Sequence, residues 1–459
     1  MSIGYDCIIV GSGLAGLTAA IVAHKQNHTV LLVEKEDRLG GNSAKATSGI
    51  NLVNTPLQSS KNICDNSDLF LHDTIISSIG CLESDGSLSQ GPKLCHRLAE
   101  YSDQARLFLE DLGNIWIDVV LCGGHSVART HRASFGHKEH SKIRNTGWEI
   151  TQSLIAYLKK HADTIHVVTS TKVIDLNCNM DAGGLVTGVT VHDMNSSKTT
   201  RYALSKGDGS RVILATGGFS ANKDLIVSVT DTGTHAARGT TNGAFAQGDG
   251  LEIASRHGAS LVDMNYIQLH PTGFTDPKNP SSDHKFLAPE ALRGFGARLI
   301  DPNTGKRFVD ELATRERVTD GILSLAGSNQ TAIMVFTENC AKQFGKQLLG
   351  FYLSKGLIQT SESMTELASE LVVPCVEGFD GYNDTVYYCF VTPVIHYTMG
   401  GLRINRAGQV LDTTGRPIPR LYAAGEVTGG LHGKNRLGGN SLLECVVFGM
   451  ICAGGSTSQ

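Results

Sequence analysis

A glycine-rich turn near the N-terminus constrains the fold more than any other feature of the chain. The apolar run YDCIIV predicts a buried strand, and GSGLAG follows it at once, placing Gly11, Gly13 and Gly16 in a GxGxxG pattern. LTAAIVAHKQNH then predicts a helix, and TVLLVE predicts a second strand that ends in the acid Glu34. A GxGxxG pattern alone is weak evidence and can be a structural turn, but this order of strand, turn, helix and strand predicts a dinucleotide-binding site.

Each residue of this motif has a physical role in such a site. Gly11 permits the tight turn, Gly13 lets a pyrophosphate approach the backbone, and Gly16 allows the helix to pack closely on the strand. Glu34 can accept a hydrogen bond from a ribose hydroxyl. These contacts do not distinguish NAD from FAD, so the residues after the acid must decide between the two.

The segment after the acid favours FAD. KEDRLGGNSAKATSGIN is rich in Gly, Ser and Asn, which supply many donors and little apolar surface for a core. An NAD-binding domain would usually continue into its next helix here, whereas FAD extends further and needs more donors. Two later segments, VILATGGF and RLYAAGEVTGG, each predict a strand that ends in a turn of small residues, as strand ends facing a cofactor do. Ordinary glycine turns of an α/β sheet are the alternative for these two segments.

Composition limits the classes of partner. A chain of 459 residues is too long for one simple core, so two domains or one domain with a large insertion is expected. The formal charge is -4, and the sequence contains neither a basic run nor a long apolar run, so nucleic-acid and membrane partners are not favoured. Small molecules are therefore the expected partners. The 11 cysteines show neither CxxC nor zinc-type spacing, so reduced thiols and no metal are expected. No targeting signal is visible, and a cytoplasmic or organellar-lumen location is expected.

Near the C-terminus, the segment LHGKNRLGGNSLLE combines the features of an anion site. His432, Lys434 and Arg436 lie among glycines, just before an apolar run that predicts a helix. Glycines let the backbone approach a ligand closely, and helix-start N–H groups and a guanidinium both favour negative charge. An arginine among glycines can also be an ordinary solvated loop charge.

The motifs occur in the order typical of one family. The chain contains, in this order, GSGLAG, GGNSAKATSGIN, GGHSVARTHR, HPTG, EALRG, TRE, HYTMGG, AAGEVTGG and HGKNRLGGNSLLECVVFG. Over nearly its whole length it resembles the soluble fumarate reductase flavoproteins, and it most resembles their eukaryotic, haem-free branch. The resemblance implies an α/β fold in which a Rossmann-like FAD-binding domain, residues 1–265 and 397–459, carries an inserted α+β capping (substrate) domain, residues 266–396.

The motif and the resemblance together imply FAD that is bound noncovalently. Membrane-bound relatives attach FAD through a histidine near the first glycine-rich loop, but residues 47–51 of this chain contain none. Tyr397 stands where some relatives carry a second histidine, so a flavin contact there is expected in altered form. The expected FAD contacts are Gly11, Gly13, Ala15, Gly16, Glu34, Lys35, Gly41, Asn42, Ser43, Thr47, Ser48, Gly49, Val173, Thr216, Gly217, Asp249, Tyr397, Glu426, Ser441 and Leu442.

The resemblance also implies reduction of a carbon–carbon double bond between two carboxylates, with fumarate and succinate as the expected substrate pair. Both carboxylates must be bound, hydride must leave N5 of reduced FAD for one carbon, and a proton must reach the other. Arg436 can donate two hydrogen bonds to one carboxylate, and Gly439 leaves room beside it. By resemblance His270, His396 and Ser48 are further substrate contacts, although a histidine before proline, such as His270, is often a satisfied loop residue.

Arg315, in the segment KRFVDELATRERV, stands where the family places its proton donor. The resemblance implies that Arg315 donates a proton to the substrate carbon and is recharged through Glu290 and Arg293 of APEALRG. A guanidinium is an unusual acid, because its pKa above about 12 keeps it charged at neutral pH. Two alternatives are that Arg315 only stabilises developing charge, or that it forms a surface ion pair with Glu311 or Glu316.

Other functions remain open at the level of the sequence. One is a related flavin-dependent enoate reductase or dehydrogenase of the urocanate or ketosteroid type, and another is a flavin-bound redox module without turnover. The basic cluster GGHSVARTHR can anchor a loop through salt bridges or lie near the flavin or the donor entrance. Because no second GxGxxG, haem motif or FMN-carrier segment is present, an external donor is expected, either reduced flavin or a separate NADH-linked domain or protein.

Overall fold

The computed structural model describes residues 4–454 except for 79–90, 136–144, 180, 182, 208, 231–234, 236–237, 328 and 380–383. The strands of this part, in chain order, are β1 (Cys7–Val10), β2 (Val30–Val33), β3 (Ile50–Asn51), β4 (Asn114–Val120), β5 (Thr130–Phe135), β6 (Ile165–Val168), β7 (Thr171–Asn179), β8 (Leu185–Asp193), β9 (Thr199–Ala203), β10 (Arg211–Leu214), β11 (Leu261–Val262), β12 (Ile267–Phe274), β13 (Arg298–Ile300), β14 (Ala332–Thr337), β15 (Gln359–Ser361), β16 (Val386–Thr398), β17 (Gly401–Arg403), β18 (Gln409–Leu411), β19 (Pro417–Ala423) and β20 (Thr428–Gly429).

The described part of the chain also contains α-helices. They are α1 (Leu14–Lys25), α2 (Pro56–Ser60), α3 (Ser67–Ser77), α4 (Gly91–Asp111), α5 (Thr146–Lys160), α6 (Lys223–Val229), α7 (Asp249–Arg256), α8 (Glu290–Gly294), α9 (Arg315–Leu323), α10 (Glu338–Phe344), α11 (Lys346–Ser354), α12 (Met364–Leu371) and α13 (Asn440–Cys452), with one short 3-10 turn at Ser43–Lys45. None of these described helices is both long enough and apolar enough to cross a membrane.

A six-stranded sheet, in the order β18-β19-β10-β1-β2-β6, forms the centre of the first layer. Strands β19, β10, β1, β2 and β6 run parallel, and β18 pairs antiparallel at one edge. All residues of β1 (CIIV) and β2 (VLLV) are buried, as parallel strands covered on both faces require. Helix α1 packs against α13 beside this sheet. The predicted order of strand, glycine turn, helix and strand is therefore confirmed.

A second, antiparallel sheet has the order β12-β16-β14-β13, with β15 paired to β16. Helices α8 to α12 lie between or beside these strands in the chain, and an apolar core that includes Phe274, Met334 and Phe336 forms here, distinct from the core of the parallel sheet. In the register of β12 with β16, His270 lies opposite Val394, two residues before His396. Antiparallel pairing thus brings two histidines together that are 126 residues apart in the chain.

Three smaller sheets complete the described part, in the orders β3-β5-β4, β7-β8-β9 and β11-β17-β20. Strand β7 carries Val173 and packs against α7. A Rossmann-like parallel sheet joined to a separate antiparallel sheet with its own helices confirms the predicted α/β fold class with an α+β unit.

Candidate active site

A cavity of about 690 Å³ opens at the carboxyl ends of the parallel strands. Gly11 follows β1, Glu34 follows β2 and Ala215 follows β10, and all three residues line the cavity. Ligands of parallel α/β sheets bind in this position, because the loops after the strands meet there. His396 and Tyr397 of β16 also line the cavity.

Most of the predicted cofactor residues line this one cavity. They are Gly11, Gly13, Ala15, Glu34, Lys35, Gly41, Asn42, Ser43, Thr47, Val173, Thr216, Gly217, Asp249, Tyr397, Glu426, Ser441 and Leu442. Gly16, Ser48 and Gly49 are not among its lining residues. A Cβ on Gly16 would lie 1.9 Å from the carbonyl oxygen of Gly11, so its predicted role in helix packing accounts for this glycine.

The start of α1 is suited to a phosphate group. Its N-cap, Gly13, has no side chain to cap the helix, and no acidic residue lies in the first turn of this described helix. The Leu14 N–H donates to Ser43 Oγ (3.1 Å), and a Cβ on Gly13 would approach only that hydroxyl, at 3.7 Å. Backbone N–H groups of the first turn therefore face the cavity with room for an anion, as a pyrophosphate requires.

Two carboxylates that line the cavity are held by fixed partners. Glu34 Oε2 accepts hydrogen bonds from Ser12 N (2.8 Å) and Ser12 Oγ (2.6 Å), and Glu34 is buried. Asp249 forms ion pairs with Lys35 and, at 2.8 Å, with Lys172. The cavity thus combines an anion site at α1 with a carboxylate after β2, where the acid of dinucleotide sites accepts a hydrogen bond from a ribose hydroxyl, so the residues present fit FAD.

Beside His396, which lines the cavity, a buried cluster of polar residues forms next to β12 and β16. The rings of His270 and His396 lie 5.2 Å apart between centroids, with an interplanar angle of 65°. His270 Nε2 lies 3.7 Å from Glu290 Oε2, and that oxygen accepts from Arg315 Nε (2.9 Å) and Nη2 (2.5 Å). Arg315 Nη1 also donates to Gln268 Oε1 at 3.1 Å. The predicted proton donor and one predicted substrate ligand therefore contact the same carboxylate.

Glu290 lies between two guanidiniums. Arg315 binds one carboxylate oxygen, and Arg293 Nη2 lies 3.7 Å from the other, which also accepts from Gly123 N at 2.9 Å. Burial alone would raise the pKa of Glu290, but the adjacent Arg315 guanidinium reverses this and holds the pKa well below its ordinary value. Glu290 is therefore ionised at neutral pH, and the three predicted catalytic residues form one contiguous group.

Arg436 is linked to the same cluster through Tyr397 and Gln268. Its guanidinium lies 4.4 Å from the centroid of the Tyr397 ring, and its backbone carbonyl accepts from Gln268 Nε2 at 3.1 Å. Burial lowers the pKa of Arg436 to about 10, so the guanidinium stays charged at neutral pH. Gln268 bonds to both Arg315 and the backbone of Arg436, and so links the two arginines.

Several buried donors in the cluster lack an acceptor among the described residues. They are His270 Nε2, Arg436 Nε, Arg436 Nη2, Arg293 Nε and Arg293 Nη2. The Thr272 N–H donates to His270 Nδ1 (3.2 Å), which places the proton of the neutral ring on Nε2. Burial lowers the pKa of His270 to about 3, so the ring is neutral at pH 7. Because unpaired buried donors cost free energy, this set indicates a ligand rich in acceptors, such as a carboxylic acid anion.

His396 is held by a separate contact. Its Nδ1 lies 2.7 Å from Thr241 Oγ1, and it lies in the cavity wall beside the cluster. Burial, together with the charges and dipoles of His270, Arg315 and Arg436, lowers the pKa of His396 well below its ordinary value. Both histidines therefore face the cluster as neutral rings.

The structure also decides between alternatives that the sequence left open for Arg436, His270 and Arg315. Arg436 is 2% exposed and is not a solvated loop charge, and His270 keeps an unpaired buried Nε2 within the described residues. Arg315 pairs with Glu290, whereas the carboxylate of Glu311 accepts from Arg307 at 2.7 Å.

Of the remaining predicted residues, Gly439 has a φ of +82°, and a Cβ there would lie 2.3 Å from Asn51 Oδ1. Only glycine fits at this position, directly before α13.

The fully buried Arg129 of the cluster GGHSVARTHR bonds to Asp65 (2.9 Å) and Asp73 (2.6 Å), as the loop-anchoring interpretation predicts.

Sequence reasoning missed two residues of the cluster. Gln268 precedes His270 by two positions on β12, and alternation along a strand was a signal that they share a face. Glu444 is fully buried on α13, where it accepts from Tyr397 Oη (2.6 Å) and contacts His432 Nε2 (2.9 Å). An acid within the otherwise apolar segment LLECVVFG was its signal, because a buried carboxylate requires partners.

Comparison with known proteins identifies the family of the chain. A family model described as the FAD binding domain matches residues 6–442. The chain is 38% identical to Fumarate reductase 1 of Saccharomyces cerevisiae, with 97% of each chain covered, and 34% identical to the fumarate reductase of Schizosaccharomyces pombe, with 99% of this chain and 89% of that one covered. A solved flavocytochrome c3 fumarate reductase in its open conformation is 30% identical and superposes with a TM-score of 0.76, covering 98% of this chain and 78% of the other. The chain therefore belongs to the FAD binding domain family and, within it, to the fumarate reductase flavoproteins, and it is a FAD-dependent oxidoreductase.

Proposed function

We propose that the protein reduces fumarate to succinate with FAD bound noncovalently in the large cavity. The observation that carries this proposal is the group of unpaired, buried N–H donors of His270 and Arg436 beside the Arg315–Glu290 pair. The names of the yeast relatives, which are fumarate reductases, support the same substrate. When bound, reduced FAD supplies a hydride equivalent to one alkene carbon.

Arg436 and the two histidines bind the dianion in this proposal. The free Nε and Nη2 of Arg436 can donate two parallel hydrogen bonds to one carboxylate, and the guanidinium keeps its charge. His270 offers its Nε2–H to the substrate, and His396 lies 5.2 Å from it between ring centroids. Neutral histidines act as donors without adding charge, so the charge of the dianion is balanced mainly by arginine.

Arg315 supplies the proton that the second carbon requires. As hydride adds to one carbon, negative charge develops on the other, and that carbon becomes a base strong enough to take a proton from a guanidinium. Glu290 is ionised and bonded to Arg315, so its carboxylate can take up a proton from solvent and pass it to the deprotonated Arg315, and Arg293 lies on its other side. One hydride and one proton added to the fumarate dianion give the succinate dianion, so atoms and charge are balanced.

The division of the chain into a FAD-binding domain and a capping domain is also part of the proposal. Residues 1–265 and 397–459 form the FAD-binding domain, and residues 266–396 form a capping domain that supplies His270, Glu290 and Arg315. The separate apolar core of the antiparallel sheet supports this division. Closure of the cap would bring these groups over the cofactor and exclude water from the reaction.

The remaining FAD contacts, including Ser48 and Gly49, are proposed from the motif although they lie outside the cavity wall. Electrons reach the cofactor from an external donor, either free reduced flavin or a separate NADH-linked domain or protein. Acid precipitation of the protein tests the mode of attachment, since noncovalent FAD is released into the supernatant and covalent FAD stays with the pellet.

Photoreduction of the FAD-loaded protein tests the function directly. After anaerobic photoreduction, fumarate is added and the return of the oxidised visible spectrum is followed in a stopped-flow instrument. We expect reoxidation with fumarate to be faster than in buffer alone, and slower or absent with urocanate and with a 3-ketosteroid. Fast reoxidation by one of those two alone would assign a related enoate reductase instead, and no acceleration by any of the three would assign a redox module without turnover.

A further inference from the structure

Away from the cavity, a cysteine, a histidine and an aspartate form a hydrogen-bonded series. Cys178 Sγ lies 3.4 Å from Nδ1 of His257, and His257 Nε2 lies 2.9 Å from Asp175 Oδ1. Cys178 and Asp175 belong to β7, and His257 is the residue directly after α7. Because β7 packs against α7, the fold joins groups that are 79 and 82 residues apart in the chain.

The hydrogen bonds fix the roles of the two ring nitrogens of His257. Although partial burial acts in the opposite direction, the hydrogen bond from His257 lowers the pKa of Asp175, so the carboxyl is ionised at neutral pH. An ionised carboxylate can only accept hydrogen bonds, and the neutral imidazole therefore carries its proton on Nε2. Nδ1 is left as an acceptor directed at the Cys178 thiol. This is the order of nucleophile, base and orienting acid found in enzymes that activate a thiol or hydroxyl.

The thiol is accessible to a small reagent. Cys178 and His257 are both only partly buried, whereas most thiols of the described chain are fully buried. Arg256 Nη2 lies 3.9 Å from Asp175 Oδ1, so Arg256 and Asp175 form an ion pair at the exposed edge of the series.

Activation of this thiol requires proton transfer to the histidine. Burial and, after it, the negative charge of Asp175 raise the pKa of Cys178 above its ordinary value. A preformed thiolate is therefore scarce at neutral pH, and the sulfur becomes nucleophilic only as its proton moves to Nδ1 of His257. Removal of the imidazole should then slow the reaction of Cys178 and of no other thiol.

We propose that Cys178 is a reactive thiol, activated by His257 and oriented by Asp175, that exchanges with low-molecular-weight disulfides of the glutathione class. The sulfur of Cys178 bonds to one sulfur of the disulfide, and the bond between the two disulfide sulfurs breaks. His257 takes the thiol proton and returns it to the departing thiolate. One thiol and one disulfide thus give one mixed disulfide and one thiol, without an external oxidant. The proposal does not depend on the substrate of the flavin site.

The test uses the FAD-loaded full-length protein and oxidised glutathione at pH 7. Peptide mass spectrometry over time measures the mixed disulfide at Cys178 and, in the same samples, at the exposed thiols Cys64 and Cys375. We expect His257→Gln to slow the reaction at Cys178 by on the order of 10-fold to 100-fold, because a positioned general base contributes at least this much. The rates at Cys64 and Cys375 should not change.

A second variant separates orientation from proton transfer. Asp175→Asn keeps the size of the side chain and removes the carboxylate that fixes the tautomer of His257, so it should also slow Cys178, but by less than His257→Gln. An unchanged flavin spectrum confirms that each variant is folded around its cofactor. Equal rates at Cys178 in the wild type and in His257→Gln, or no mixed disulfide at Cys178, would overturn the proposal.

Discussion

Replacement of Arg436 by lysine measures how much of dicarboxylate affinity depends on the geometry of the guanidinium. Arg436 is buried, charged, and has two N–H groups, Nε and Nη2, without an acceptor in the described part of the chain. Lysine keeps the charge but cannot donate two parallel hydrogen bonds to one carboxylate. A hydrogen bond to a charged group contributes about 1.5–3 kcal/mol, so the loss of one weakens binding by about 10-fold to 150-fold.

Titration of the oxidised holoprotein with succinate provides the assay, because a ligand beside the flavin changes its visible absorbance. We expect the Kd of Arg436→Lys to rise by the factor above, and Arg436→Met, which loses both hydrogen bonds and the charge, to bind more weakly still. Arg201→Lys is the matched control, since Arg201 is exposed on β9. A Kd for Arg436→Lys within about threefold of the wild-type value would refute the two-bond contact, because the lost bond corresponds to at least about tenfold.

The other predictions concern the proton donor, a buried acid, the packing of α1 and an aromatic contact. Arg315→Ala should keep FAD and succinate binding but lose turnover with fumarate by several orders of magnitude, and near-normal steady-state rates would remove it from the acid role. Burial raises the pKa of Glu426 from its ordinary value of 4.5 to about 7. The carboxyl group therefore contributes most to the free energy of unfolding at pH values below about 4.5, and this contribution is lost as the pH rises through about 7. The FAD-free Glu426→Gln variant should therefore be more stable than wild type above pH 7, by roughly 3 kcal/mol at most, and equal free energies of unfolding at pH 8 would contradict this. Gly16→Ala should abolish FAD retention on gel filtration, because its Cβ would lie 1.9 Å from a carbonyl oxygen, whereas Gly350→Ala, with nothing within 4 Å, should behave as wild type. Tyr397→Phe should keep succinate affinity within about threefold, because the ring face under the guanidinium is retained, and Tyr397→Ala should weaken it by about fivefold to thirtyfold in the same titration.

The sequence predicted the parallel sheet well because its signals are local. GSGLAG lies directly between β1 and α1, and the buried runs CIIV and VLLV are short, continuous and apolar. VILATGGF likewise contains most of β10, and RLYAAGEVTGG contains the last residues of the adjacent parallel strand β19. The order of these strands in the sheet could not be predicted in the same way, since β10 joins β1 and β19 only through pairings that are distant in the chain.

Motifs in the sequence predicted the histidines and arginines that meet in the candidate site, but not the residues that support them. His270, His396 and Arg436 stand in distinctive motifs, whereas Gln268 bonds to Arg315 from 47 residues away and carries no motif of its own. Glu444 was visible only as an acid in an apolar helix, and its partners are set by how that helix packs. Contacts of this kind depend on tertiary packing rather than on spacing, and so they require the structure.

A crystal structure of the FAD-loaded protein with a four-carbon dicarboxylate tests the central claim most directly. The proposed function predicts one carboxylate within about 3.2 Å of the guanidinium nitrogens of Arg436, a second group of the ligand at the Nε2 atom of His270, and Arg315 on the side of the ligand away from the flavin ring. A ligand bound elsewhere, with the Arg436 nitrogens still unpaired, would contradict it.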